Sequence, residues 1–162
     1  MPSPARWFAL AAVLVALDQL LKFVAVRTLE MGVPVDVLPS FSLVLTYNPG
    51  AAFSFLASAS GWQRWFFIVV ALAASLWIGY MLLKNRRENF MCFALALVLG
   101  GAIGNLIDRV LFGAVVDFVL LYWRQYHWPA FNLADSCITV GAVMLIWDSF
   151  RQTRVQSETH RP

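Results

Sequence analysis

The chain is organised by four long apolar stretches separated by shorter polar segments. They run from Trp7 to Val26, from Trp65 to Leu83, from Phe90 to Ile107, and from Cys137 to Trp147, the last extended by flanking residues toward Phe131 and Phe150. A helix rising 1.5 Å per residue needs roughly 20 residues to cross about 30 Å of hydrocarbon. Each stretch is close to that length, so the pattern predicts an all-α membrane protein with four transmembrane helices at about 7–26, 65–83, 90–110 and 135–150. The connections are loops at about 27–64 and 111–134, and one domain, 1–150, is followed by a polar tail, 151–162, expected to be disordered. No internal repeat or low-complexity tract interrupts this plan.

The first loop has texture of its own. Phe41-Ser-Leu-Val-Leu-Thr-Tyr alternates like a strand between Pro39 and Asn48-Pro-Gly, predicting a small β-sheet. Ala51-Ala-Phe-Ser-Phe-Leu-Ala, with Trp62 and Trp65, reads as a short interfacial helix. The second loop is dense in aromatics: Phe112, Phe118, Tyr122, Trp123, Tyr126, Trp128 and Phe131. It is expected to hug the membrane surface, as an aromatic belt, a substrate-binding lip, or both.

Composition agrees: 60% of the residues are hydrophobic and 13% charged, about half the charged share of an average soluble domain. A cleaved signal peptide is the alternative for the first run, but Asp18 and Lys22 inside it and the lack of a small-residue cleavage site favour an anchor. Arg6, then Lys84, Arg86 and Arg87, then Arg151, Arg154 and Arg161 fall on one side if the helices alternate. The positive-inside rule makes that side the cytoplasm, with both termini there and both long loops facing outward. The same residues account for the net charge of +3 through topology and attraction to membrane lipids, so no nucleic-acid partner is implied. Cys92 and Cys137 lie in apolar runs and read as small buried hydrophobes rather than a disulfide. His127 and His160 make no metal-site spacing, and neither metal nor cofactor is expected.

With nine acidic residues in the chain, each one near an apolar run can be weighed singly. An aspartate at mid-bilayer costs roughly 2.5 to 3.5 kcal/mol on insertion scales, so it tends to mark function or a specific partner. Asp18 and Lys22 are one helical turn apart and read as a self-neutralising pair near the outer end of the first helix, ahead of direct catalysis. Asp108 and Arg109 follow Gly100-Gly-Ala-Ile-Gly and Asn105 at the outer end of the third helix. There Asp108 reads as scaffold, and the guanidinium of Arg109 suits a backbone carbonyl or a carboxylate. Asp148 reads as a solvated helix-end charge without function.

Asp117 and Asp135 stand apart. Both are placed at the outer membrane surface, flanking the aromatic loop. Asp117 is embedded in Gly113-Ala-Val-Val-Asp-Phe-Val-Leu-Leu, and Asp135 is placed to start the fourth helix, where an N-cap is its bland role. Two carboxylates about 3 Å apart share one proton, so one activates water as a base while the other supports the carbonyl oxygen. No serine or cysteine is paired with a histidine, leaving a triad without candidates. From the residues alone a transport, proton-relay or packing role stands level with this dyad.

Five blocks carry a resemblance: Asp18-Gln-Leu-Leu-Lys22, Asn48-Pro-Gly-Ala-Ala-Phe53, Gly100-Gly-Ala-Ile-Gly-Asn-Leu-Ile-Asp-Arg109, Val116-Asp-Phe118 and Phe131-Asn-Leu-Ala-Asp135. In order and spacing the chain resembles the bacterial lipoprotein signal peptidase (signal peptidase II) family. Each block is short, but five in register over most of the chain are specific. The resemblance implies an aspartic endopeptidase of the inner membrane that cuts diacylglyceryl prolipoproteins just before the lipidated cysteine, and a monomer is expected. It implies four transmembrane helices with a small periplasmic sheet and a periplasmic helix. It matches Asp117 and Asp135 to the catalytic pair and Asn48, Asn105, Arg109 and Asn132 to polar residues around the site. Asp18, Lys22, Gly50 and Asp108 match motif positions with a structural or supporting part.

Overall fold

A computed structural model describes residues 3–50, 61–85 and 88–159, with side chains to residue 151. Four helices dominate: α1 (Ala5–Thr28), α2 (Trp62–Lys84), α3 (Asn89–Leu111) and α4 (Leu133–Thr159). All four are long and apolar enough to cross a membrane, with α4 counted over Leu133–Arg151. The chain is a multi-pass membrane protein. Its large outward side chains, such as Leu20, Phe23, Leu76, Trp77 and Val143, are exposed because their solvent is lipid. The expected interfacial helix at Ala51 to Ala57 lies outside the described residues.

Helix α3 is the hub, half buried along its apolar window where the other three are about one-fifth buried. Lipid gives helices no hydrophobic reason to associate, so close backbone approach between small residues has to do it. A β-carbon at Gly101 would collide with the carbonyl oxygen of Ala134 in α4, and one at Gly104 would sit 2.6 Å from the Asp18 carboxylate of α1. Gly141 returns the favour: its β-carbon would lie 2.7 Å from the Ala94 carbonyl of α3. Ala11, Ile78, Leu82, Cys92, Leu95 and Leu99 fill the core at the other end, and both cysteines are free and buried.

The two connections between helices build one four-stranded antiparallel sheet in the order β1 (Val35–Leu38), β2 (Phe41–Asn48), β3 (Val115–Trp123), β4 (Tyr126–His127). The sheet was expected from the first loop. The second, expected as a surface-hugging aromatic loop, instead contributes two strands, because Val115-Val-Asp-Phe-Val-Leu-Leu-Tyr-Trp is mostly β-branched and aromatic. Thr46 of β2 pairs with Asp117 of β3, so the sheet fixes where Asp117 sits. Helix α4 also differs from expectation. It continues past Arg151 to Thr159, since no glycine or proline follows Gly141 until Pro162 to stop it.

Candidate active site

The polar residues that the apolar runs do not explain gather where β3 meets α1, α3 and the start of α4. Asp117 is 2% exposed. Its Oδ1 accepts from Asn132 Nδ2 at 2.7 Å and its Oδ2 from Asn48 Nδ2 at 3.3 Å. Asp135, in the first turn of α4, accepts from Asn105 Nδ2 at 2.7 Å. Asn132, fully buried just before α4, donates to Asn105 Oδ1 at 3.2 Å and to the Val116 carbonyl at 3.2 Å, and accepts the Asp135 N–H at 2.9 Å. It therefore links the Asp117 carboxylate, through its amide nitrogen, to the backbone of Asp135, through its oxygen.

That last bond corrects the bland role given to Asp135. Asn132 is the side-chain cap of α4, accepting from the N–H three residues on. The Asp135 carboxylate is left for other work. Burial, and then the neighbouring Asp135 charge, push the Asp117 carboxyl up from 3.8 to about 7, against the opposing pull of hydrogen bonds from Asn48 and Asn132.

Beneath the acids is a buried ionic layer. Lys22 Nζ lies 2.8 Å from Asp18 Oδ2, 2.8 Å from Asp108 Oδ2 and 3.0 Å from Asn105 Oδ1. Lys22 is thus shared between two carboxylates from two helices, rather than neutralised within α1 as its spacing suggests. Both acids also hold backbone. Asp18 accepts the Ala134 N–H at 2.9 Å, and Asp108 accepts the Val116 N–H at 3.1 Å, tying down α4 and β3 beside the two candidate acids. Gln19, which the sequence reading passed over, donates to Asp108 Oδ1 at 2.9 Å and to the Gly104 carbonyl at 3.1 Å. Its signal was an amide inside an apolar helix, next to two charges.

Arg109 bridges two segments, reaching the Gly50 carbonyl at 2.9 Å and the Asn105 carbonyl at 3.3 Å, with its guanidinium over the Phe67 ring. The Gly50 N–H donates to Asn48 Oδ1 at 3.0 Å, which holds the Asn48 amide nitrogen toward Asp117. A cavity of about 630 Å³ opens beside these groups, lined by Asn48, Arg109 and Asp135 at one end and by Ile138 and Val140 of α4 at the other. Among the described residues no group of three or more His, Cys, Asp and Glu side chains is placed to hold a metal. Asp148 lies far along α4, half-buried near the opposite end.

Four helices able to cross a membrane, with one buried and one half-buried carboxylate held by amides beside an open groove, make a site suited to acid–base chemistry in a membrane enzyme. The family described as Signal peptidase (SPase) II matches residues 10–151. The chain belongs to the signal peptidase II family, a family of aspartic peptidases. It is 53% identical to a lipoprotein signal peptidase of Polynucleobacter necessarius subsp. necessarius over 91% of each chain. A lipoprotein signal peptidase of Cupriavidus necator is also 53% identical, over 94% of this chain and 87% of its own. Two solved bacterial membrane enzymes share the fold. One has a TM-score of 0.82 at 32% identity, covering 92% of this chain and 90% of its own; the other has 0.77 at 34%, covering 89% and 92%.

Proposed function

We propose that this protein is the endopeptidase that removes the signal peptide from diacylglyceryl-modified prolipoproteins, with Asp117 and Asp135 as its catalytic dyad. The observation that carries the assignment is Asn132, one side chain that donates to the carboxylate of buried Asp117 and accepts the backbone N–H of half-buried Asp135, setting the two residues against each other. Of the two, Asp135 is the better seat for the shared negative charge. It sits in the first turn of α4, where a helix N-terminus favours an anion, and it accepts from Asn105 Nδ2 at 2.7 Å. Asp117, pushed up to about 7, carries the proton at neutral pH about half the time.

Hydrolysis then follows in two proton-balanced stages. Asp135 takes a proton from water as the hydroxyl oxygen attacks the carbonyl carbon, and Asp117 gives its proton to the carbonyl oxygen. As the tetrahedral diol collapses, Asp117 recovers that proton, Asp135 passes its own to the leaving amine, and the C–N bond breaks. The dyad returns to its starting state. Water is drawn from a restricted, low-dielectric space, where the fixed amide donors act most strongly.

The substrate brings a signal helix and two acyl chains, so it arrives laterally within the bilayer. The cavity that runs from Asp135 along α4 to the exposed Val140 suits such an approach. The arrangement fits a monomer of the bacterial inner membrane with both termini in the cytoplasm and the dyad on the periplasmic side, folded as one domain over residues 1–150. A transporter or proton-relay subunit would want acids spread through membrane depth. Here Asp18, Asp108, Asp117 and Asp135 gather around Lys22, Asn105 and Asn132.

The test is cleavage of a purified diacylglyceryl prolipoprotein by Asp117→Asn and Asp135→Asn, each inserted and folded. Both are expected to be inactive. Full turnover by either one removes that residue from the dyad.

A further inference from the structure

The two asparagines that serve the acids are chemically ambiguous. An amide presents a donor on one side and an acceptor on the other, and a half-turn of the side chain exchanges them. Only a neighbour that cannot change its own polarity fixes the choice. For Asn132 that neighbour is the backbone N–H of Asp135, which can only donate, so Oδ1 turns to α4 and Nδ2 to Asp117. For Asn105 it is the ammonium of Lys22. With three N–H donors and no acceptor, Lys22 holds Asn105 Oδ1 at 3.0 Å, which leaves Nδ2 facing Asp135 at 2.7 Å.

We propose that Lys22 is a positioning residue for catalysis: by locking the polarity of the Asn105 amide it guarantees that Asp135 meets a donor and not an oxygen. The proposal rests on Asp135 being the dyad member that holds the negative charge. A reversed Asn105 would set its oxygen against the Asp135 carboxylate and favour the protonated acid, which cannot take a proton from water. Asn132 adds only a weaker hold. Its amide nitrogen also donates to Asn105 Oδ1, but at 3.2 Å and shared with Asp117 and the Val116 carbonyl. Lys22 makes no bond to the dyad itself among the described residues, so its influence passes through Asn105.

The rival account treats Lys22 as a counter-ion and nothing more. The groups around it are Asp18 on its own helix and Asp108 from α3 in direct contact, with Asp117 of β3 and Asp135 of α4 beyond them. If charge balance were its whole purpose, removing its two contact partners together with it would restore the site. The variant Asp18→Asn/Lys22→Met/Asp108→Asn does this. Each new asparagine keeps an oxygen to accept the Ala134 and Val116 N–H groups, so both backbone anchors persist.

The purified full-length triple variant is assayed on diacylglyceryl prolipoprotein across pH, beside Lys22→Arg, which keeps a donor that cannot accept, and beside Asp135→Asn. The triple variant is expected to unfold as a cooperative unit like the wild type and to lose kcat on the order of 100-fold, the scale of one active-site donor. Its KM should stay within about threefold, and the acidic limb of its kcat profile should move to higher pH. Lys22→Arg should keep turnover within about tenfold of wild type, since the donor is retained. A triple variant with wild-type kcat and an unmoved profile overturns the positioning role and leaves the counter-ion account, even with Asp135→Asn dead. An active Asp135→Asn strikes instead at the dyad beneath it. A triple variant that loses activity through KM alone, with kcat and its pH limb intact, also overturns the proposal.

Discussion

Asp117→Asn should stabilise the protein at the same time as it removes the activity. The carboxyl is 2% exposed and is raised by burial and by Asp135 from 3.8 to about 7. An acid raised on folding binds more protons native than unfolded, so its contribution to stability is fullest below 3.8, is lost as pH climbs through the interval to about 7, and stays lost above it. The gap corresponds to about 4 kcal/mol at most at pH 8. Asparagine carries no charge to bury and keeps an oxygen for Asn132 Nδ2, but its own NH₂ meets the amide nitrogen of Asn48, which costs about 1 kcal/mol. A net gain of about 2 to 3 kcal/mol at pH 8 follows, or roughly 4 to 12 °C in melting temperature for a chain of this size. Thermal unfolding in detergent micelles from pH 4 to 8 reads it directly. The difference between variant and wild type isolates Asp117 from the other carboxylates, and it should be near zero or slightly negative at pH 4 and grow through pH 7. Parallel curves across that range, or a gap that shrinks as pH rises, would refute the claim that this acid is buried at an energetic cost.

The remaining expectations test the frame around the proposed dyad. Gly104→Ala places a β-carbon 2.6 Å from Asp18 Oδ2, so it should cost about 1 to 3 kcal/mol and lower kcat by displacing the Lys22 layer; an unchanged melting temperature and rate would show that α1 and α3 are not in close contact there. Asn132→Ala removes the α4 cap and the donor to Asp117 together, so about 1 to 2 kcal/mol of stability should go along with most of the turnover, as unfolding and cleavage assays would report. Asp148→Asn should leave cleavage within twofold of wild type, and an inactive variant would mean that the site has been put at the wrong end of α4.

How legible the molecule was depended on the range of the interaction. The helices announce themselves because lipid imposes one rule on every spanning residue, and only the polar end of α4 escaped it, since Arg151-Gln-Thr-Arg carries no apolar signal yet nothing that breaks a helix. The acids could be picked out because charge is scarce in such a chain. What the sequence could not disclose is pairing across distance. Lys22 looks complete with Asp18 one turn away, and its second partner, Asp108, lies in another helix. Strand β3 passed for an aromatic loop because the same residues serve both roles until a partner strand, here β2, is known. Asn105 and Asn132 were matched to the site by resemblance, and their orientation depends on Lys22 and a backbone N–H that only the fold brings to them.

The same geometry places the two carboxyl groups in different surroundings. Asp117 stands on a strand, which offers no axial dipole, and amides are its only hydrogen-bond donors among the described residues. Asp135 stands one turn into a helix whose first N–H groups are answered by side chains: Ala134 by Asp18 and Asp135 by Asn132. The helix N-terminus is therefore pinned before any substrate arrives, and its field acts on Asp135 from a fixed direction. Gly101 and Gly104 are what permit this, because side chains there would hold α4 and α1 away from α3 and pull Asp18 off the Ala134 N–H. The small-residue face of α3 and the setting of the proposed dyad are one device: close helix packing sets the caps and the caps set the amides, while burial raises Asp117 against their pull.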